Sequence, residues 1–96
     1  MNIQHNKNGN KGRFYVGDLE MPLAELVYKM TSPETMLIEH TEVSDELRGK
    51  NIGYELVEAA VAYARENKIK IIPLCPFAAA VFKKRATEYK DVLENS

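Results

Sequence analysis

The chain has 96 residues, which suits one domain, 1–96, and leaves no room for a second. A hydrophobic fraction of 45% argues against a disordered chain, and a net charge of −1 gives none of the basic surplus that a nucleic-acid partner calls for. No apolar run approaches membrane-spanning length, and the polar stretch from Met1 to Lys11 has no secretion-signal core.

The first half of the chain reads as strands. Ile3-Gln4-His5 is a short candidate, Asn8-Gly9 suits a tight hairpin turn, and Arg13 to Val16 is the return strand. A clear alternation follows: Ala24, Leu26, Tyr28 and Met30 point to one face, Glu25, Val27 and Lys29 to the other. Thr31-Ser32-Pro33-Glu34 is a turn, because proline pre-sets its backbone angle. Thr35 to Val43 is a fourth strand, rich in apolar and β-branched residues.

The period then changes. Ile52, Leu56, Ala60 and Ala64 recur every four residues, widened by Val57, Val61 and Tyr63, which predicts a helix from near Lys50 to Asn67. Ile69 to Leu74 is a short strand, apolar enough to be buried on both faces. Pro76 opens a last helix running to Arg85. The charged segment from Lys83 to Ser96 reads as a solvated face and tail. The class is therefore α+β: antiparallel strands, then a parallel βαβ unit and a final helix. Ligands of such units gather at the carboxyl ends of the parallel strands, which directs attention to residues 43–53 and to the turn at Cys75.

The loop Arg48-Gly49-Lys50-Asn51-Ile52-Gly53 joins the fourth strand to the long helix. Glycines let backbone amides approach a ligand, and a helix N-terminus favours a phosphate. Arg48 and Lys50 add positive charge. The loop has neither the Gly-Lys-Ser/Thr ending of a Walker loop nor the G-x-G-x-x-G fingerprint, and by itself it could simply start a helix.

In context the segment from His40 to Gly53 resembles motif A of the GCN5-related N-acetyltransferases (GNAT). That motif is a strand ending in valine, then Q/R-x-x-G-x-G/A, then an amphipathic helix. Arg48 takes the Q/R place, Asn51 the middle glycine and Gly53 the last one. With Cys75-Pro76-Phe77-Ala78, the chain looks like a very short GNAT-like subfamily, the resemblance running from Arg13 to Tyr89. It implies a GNAT-like mixed sheet and acetyl-CoA as cosubstrate. The pyrophosphate would be held by amides at Arg48, Gly49, Lys50, Asn51, Ile52 and Gly53. The pantetheine would pair with the strand that ends at Val43. Two departures stand out. Asn51 replaces a glycine, and Phe82 lies near where many relatives carry a tyrosine that protonates the leaving thiolate.

Three residues are candidates for chemistry. Cys75 stands before Pro76 at a helix start, where a thiolate is favoured, although free cysteine is more often a small buried hydrophobe. His40 and Glu42 share one strand face and compose a workable proton acceptor, and His40 could approach Cys75 if the fourth and fifth strands are neighbours. His5 reads as a surface residue. One cysteine and two separated histidines make no zinc set, so no metal is expected. The lone cysteine suits a cytoplasmic protein, and a monomer or weak dimer is expected.

Three functions remain open on the sequence. The first is acetyl transfer from acetyl-CoA to an unidentified amine, directly or through Cys75. The second is a non-catalytic acyl-CoA-binding sensor or carrier. The third is a small ferredoxin-like interaction domain without a coenzyme.

Overall fold

The computed structural model describes residues 2–94. A four-strand antiparallel meander comes first: β1 (Gln4–Asn8), β2 (Lys11–Gly17), β3 (Pro22–Ser32) and β4 (Thr35–Val43). A 3-10 turn at Asp45–Leu47 leads into helix α1 (Ile52–Glu66), and β5 (Lys70–Pro73) then returns parallel to β4. Helix α2 (Pro76–Lys84) and a single turn, α3 (Ala86–Tyr89), end the chain. The sheet order is β1-β2-β3-β4-β5, so every neighbour in sequence is a neighbour in space. The expected α+β class, with an antiparallel meander feeding a parallel unit, is the class observed.

The turns follow from their residues. β1 and β2 pair as far as Asn8 and Lys11, which makes Gly9-Asn10 the turn, one residue later than the sequence suggests. Gly9 takes φ +65°, a left-handed angle that costs glycine nothing. β3 and β4 close on Ser32 and Thr35 around Pro33-Glu34. There the Ser32 hydroxyl accepts the Glu34 amide at 3.2 Å and donates to the Thr35 hydroxyl at 3.1 Å.

The alternation of β3 works as expected. Ala24, Leu26 and Tyr28 are buried beneath the stripe of α1, whose Ile52, Leu56, Val57, Ala60, Val61 and Ala64 are buried in turn. Both long helices cover this one face of the sheet, since α1 and α2 also contact each other. That arrangement corrects the reading of β5. Ile71 is fully buried, but Ile72 and Pro73 are only half-buried and Leu74 is 61% exposed, so this strand is covered on one face alone.

The C-terminal segment is also corrected. Tyr89 and Val92 are buried, with the Tyr89 ring 5.1 Å from that of Phe82. The Ile71 amide donates to the Val92 carbonyl at 2.6 Å, and the Glu94 amide to the Ile71 carbonyl at 2.9 Å. Residues 92–94 thus cap the outer edge of β5. The charges of 83–94 mask a short buried apolar set. Arg65, bidentate to Asp91 at 2.6 and 2.9 Å, fastens this segment to α1. Asn95 and Ser96 lie outside the described residues.

His5 is exposed, as expected of a surface residue, yet its ring makes contacts. Its ring stacks on Phe14 at 4.2 Å between centroids and meets the edge of Tyr63 at 4.6 Å. Its Nε2 lies 2.6 Å from the Tyr28 hydroxyl. Burial, then the neighbouring Tyr63, push the Tyr28 phenol up to about 12. It therefore stays protonated and donates to a neutral imidazole. Burial, and then the charge of Lys7, lower the His5 pKa from its ordinary 6.5.

The folded state therefore binds fewer protons at His5 than the unfolded chain. Stability from this contact is complete above the unfolded value and declines as pH falls through it. Chemical denaturation followed between about pH 7 and 5 should show stability falling, and the slope should flatten in His5→Gln. An unchanged slope in that variant would remove His5 as the titrating group.

Candidate functional site

The site begins where two parallel strands part. Ile38 and Pro73 form the last pair between β4 and β5. Lys70 and Leu74 turn their amides to β4, whereas Ile71 and Pro73 face the outer edge, where proline's missing amide hydrogen is harmless. The next two amides, of Leu74 and Cys75, both donate to the Ile38 carbonyl, at 3.1 and 3.0 Å. β5 stops there, while β4 runs on to Val43 with β3 as its strand partner. Residues 39–43 are left with a strand edge that β5 does not fill, opposite the start of α2.

A bulge decides what each side chain of that stretch faces. Val27 pairs with His40 but Tyr28 with Ile38, so Glu39 is the extra residue. Thr41 and Val43, opposite Leu26 and Ala24, therefore face the helices, whereas His40 and Glu42, opposite Val27 and Glu25, face the open side. The Ser44 hydroxyl just beyond is buried with no hydrogen-bond partner among the described residues.

The expected anion loop closes one end of this edge. Gly49 has φ +82° and Asn51 φ +58°, two left-handed residues that turn the chain into α1. Helix geometry starts at Ile52 rather than near Lys50, with Asn51 as N-cap residue. Asn51 makes no side-chain cap bond, so its value here is tolerance of the left-handed angle and not capping. The first backbone bond of the helix runs from the Glu55 amide to the Asn51 carbonyl at 3.1 Å. The amides of Ile52, Gly53 and Tyr54 precede it and have no intrahelical acceptor. The Ile52 side chain is in the core, so only its backbone can face a ligand. The Arg48 side chain is exposed and ion-paired with Asp45 at 3.0 Å. Lys50 is exposed. A cavity of about 230 Å³ sits on the loop, lined by Val43, Gly49, Gly53 and Phe77 among others.

Cys75 lies at the mouth of the slot as the N-cap residue of α2, with 6% of its surface exposed. Its thiol donates to the Thr41 hydroxyl at 3.5 Å. Burial opposes its ionisation. The Thr41 hydroxyl and the N–H dipoles of Ala78, Phe77 and Thr41 outweigh that, and the thiol pKa is lowered from its ordinary value. None of the first-turn amides makes a true capping bond to the sulfur. The expected approach of His40 to Cys75 does not occur. The bulge gives that place to Thr41, and His40, 56% exposed, is instead 3.1 Å from Glu42 on the far face of the strand. The histidine–carboxylate pair and the thiol therefore lie on opposite sides of β4.

Sequence reading gave no role to Thr41 or Tyr54, and none to Phe77 beyond its place in Cys75-Pro76-Phe77-Ala78. Phe77 is the most consequential, because a Cβ on Gly53 would come within 2.6 Å of its ring. Gly53 is thus required by the approach of α2 to α1, and by the loop only secondarily. Phe77 packs edge-on to Tyr54 at 5.8 Å, and both rings line the loop cavity. Among the described residues, no group of three or more His, Cys, Asp or Glu side chains is placed to hold a metal ion. No helix is long and apolar enough to cross a membrane.

The parted strands, the left-handed loop and the helix N-terminus define a GNAT-type domain. The family model described as GCN5-related N-acetyl-transferase matches residues 13–92, and the chain belongs to that family. It is 40% identical to a GCN5-like putative N-acetyltransferase from Staphylococcus aureus, covering 99% of this chain and 91% of that one, with a TM-score of 0.75. Larger structures share the fold. Tetrahymena GCN5 matches at 12% identity and TM-score 0.64, over 81% of this chain and 51% of that one. A GNAT family acetyltransferase from Elizabethkingia anophelis, with acetyl-CoA bound, matches at 15% identity and TM-score 0.55, over 67% of this chain and 42% of that one. No curated protein matches the chain in sequence.

The Gly53–Phe77 contact can be tested by mutation. Gly53→Ala should destabilise the fold by about 1–3 kcal/mol, the usual cost of overpacking. Adding Phe77→Ala should recover part of that loss in a double-mutant cycle read by denaturant unfolding. Strict additivity of the two changes would show that the ring is not what Gly53 accommodates.

Proposed function

We propose that the protein binds acetyl-CoA in the slot between β4 and the start of α2 and transfers the acetyl group to an amine. The observation that carries this reading is the unfilled edge of residues 39–43, bounded by the anion loop at one end and Cys75 at the other. Pantetheine would add to that edge as an extra strand does, with the pyrophosphate on the amides of Gly49 and of residues 51–53, since those of Arg48 and Lys50 donate to the Asp45 and Leu47 carbonyls. The acetyl-CoA-bound family member from Elizabethkingia anophelis supports the choice of ligand.

On this reading the amine arrives from the open face of the sheet, where Glu42 and His40 stand. Glu42, hydrogen-bonded to His40, takes the amine proton. The nitrogen attacks the thioester carbon, the C–S bond breaks, and coenzyme A leaves as a thiolate that collects its proton from solvent. Phe82 is buried against Tyr89 and has no hydroxyl to give, so it takes no part in that last step. The amides around Cys75 supply positive dipoles on the slot side. They would equally stabilise a Cys75 thiolate that accepts the acetyl group first, with coenzyme A thiol as leaving group and the amine attacking second.

Gly49→Asp is the cleanest probe of the loop, because a Cβ there meets nothing within 4 Å and aspartate tolerates the left-handed angle. Acetyl-CoA at a hundredfold excess over Kd should stabilise the wild type by about 2.7 kcal/mol, and Gly49→Asp should weaken binding at least about tenfold. Absence of any thermal shift with acetyl-CoA would overturn the reading. Glu42→Gln should lower amine-dependent turnover by about 10²–10⁴, the usual range for a general base. A smaller loss would move the proton transfer elsewhere.

Iodoacetamide should alkylate Cys75 with a midpoint below the ~8.5 of a free thiol, and bound coenzyme A should protect it. An acetyl adduct in the intact mass after incubation with acetyl-CoA would select the route through Cys75. Absence of an adduct alongside turnover would select direct transfer.

A further inference from the structure

The face of the sheet away from α1 and α2 has a regular charge pattern, set by register. Leu26 and Tyr28 are fully buried beneath α1, so Glu25, Val27 and Lys29 point to the open face. Lys11 of β2 stands directly opposite Lys29, and Glu42 of β4 directly opposite Glu25. Like charges placed opposite each other across a ladder are destabilising. One such pair of each sign sits on this face, with Val27 midway between them along β3. The acidic pair is compensated within the chain, by Arg13 at 3.0 Å from Glu25 and by His40 at 3.1 Å from Glu42. Among the described residues, neither Lys11 nor Lys29 has such an ion pair. Beside Lys29 the face is apolar: Leu37 pairs with Lys29 and Ile72 with Leu37, and both are half-buried.

A face of this kind is its own complement. A second copy turned end for end, about a two-fold axis that crosses β3 at Val27, sets Lys29 of each chain against Glu25 of the other. The same rotation brings the end of the face that holds Lys11 over the end that holds Glu42. Sheets stacked face to face lie about 10 Å apart, a gap that a lysine and a glutamate side chain span together. Val27, Leu37 and Ile72 supply the apolar area between the two charged ends.

We infer that two copies of the chain pair through this face as a weak, salt-sensitive dimer. The pairing covers Glu42 and His40. A second copy and an acceptor amine therefore compete for one face, and the dimer is closed to the amine. The closure rests on the proposed transfer, whereas the pairing does not. Lys29 is the first residue to vary, because it holds no ion pair whose loss would disturb the fold.

The measurement is analytical ultracentrifugation of the whole chain from about 5 µM to about 1 mM, where a Kd of about 10–200 µM is expected at low salt. High salt should weaken the pairing several-fold, because the contacts are at least partly exposed. Lys29→Glu and Glu25→Lys should each weaken it by at least about tenfold, since each sets like charges face to face. An equimolar mixture of the two folded variants should pair again, as should the chain carrying both changes, because opposite charges then meet throughout that row. A wild type that stays monomeric to about 1 mM would overturn the inference. So would a dimer that Lys29→Glu leaves unchanged, or a mixture of folded variants that stays monomeric. Turnover of a small amine per chain should fall as the concentration passes through Kd. Constant turnover across that range would overturn the closure. Absence of turnover at every concentration would overturn the transfer reading and the closure with it, while sedimentation decides the pairing.

Discussion

A single backbone oxygen organises the site. The Ile38 carbonyl accepts the Leu74 amide, as the parallel ladder requires, and the Cys75 amide as well. Two donors on one acceptor end β5 abruptly. β4 cannot end with it, because β3 holds it as far as Val43. A parallel pair that stops on one strand and continues on the other leaves polar backbone groups without a strand neighbour. Such groups tend to be satisfied by some partner. On the proposed reading, that gap is where a strand-like ligand is received.

The same local event sets the course of the rest of the chain. Pro76, in the first turn of α2, starts a helix where a missing amide hydrogen does no harm. With the helix axis fixed, Phe77 comes down on Gly53 and meets Tyr54, coupling the start of α2 to the start of α1. Anything that shifts one helix start is therefore felt at the other. The loop residues 48–53 are positioned from below by Leu47 and Ile52 in the core and from the side by Phe77.

The fold was largely legible in the sequence. Period-two alternation in β3 and period-four recurrence in α1 are strong signals, and proline and glycine mark the turns between them. The loop was legible too, because left-handed positions select glycine or asparagine, and Gly49 and Asn51 take those angles. What escaped depended on contacts between distant residues. The bulge at Glu39 leaves no mark on β4, yet it exchanges the faces of His40 and Thr41 and so separates the histidine from Cys75. Gly53 looked like a loop glycine because the ring it accommodates lies on another element. The buried Tyr89 and Val92 were hidden by the charges around them, and only their docking on Phe82 and Ile71 shows why they are there.

The division of β4 into two faces has a chemical consequence. A thiol with a lowered pKa and a histidine–carboxylate pair would form a nucleophile–base couple if they touched, and the thiol would then lose its proton to the imidazole. They do not touch. The Cys75 thiol donates to Thr41, whose hydroxyl is a far weaker acceptor than imidazole, so its ionisation is governed by burial, by the Thr41 hydroxyl and by backbone dipoles, with no base in contact. His40 and Glu42 are instead paired with each other on the exposed face. One strand therefore has the dipoles around Cys75 on one side and the histidine–carboxylate pair on the other. On the proposed reading, a thioester along the strand edge would be polarised from the first side and the attacking amine deprotonated on the second.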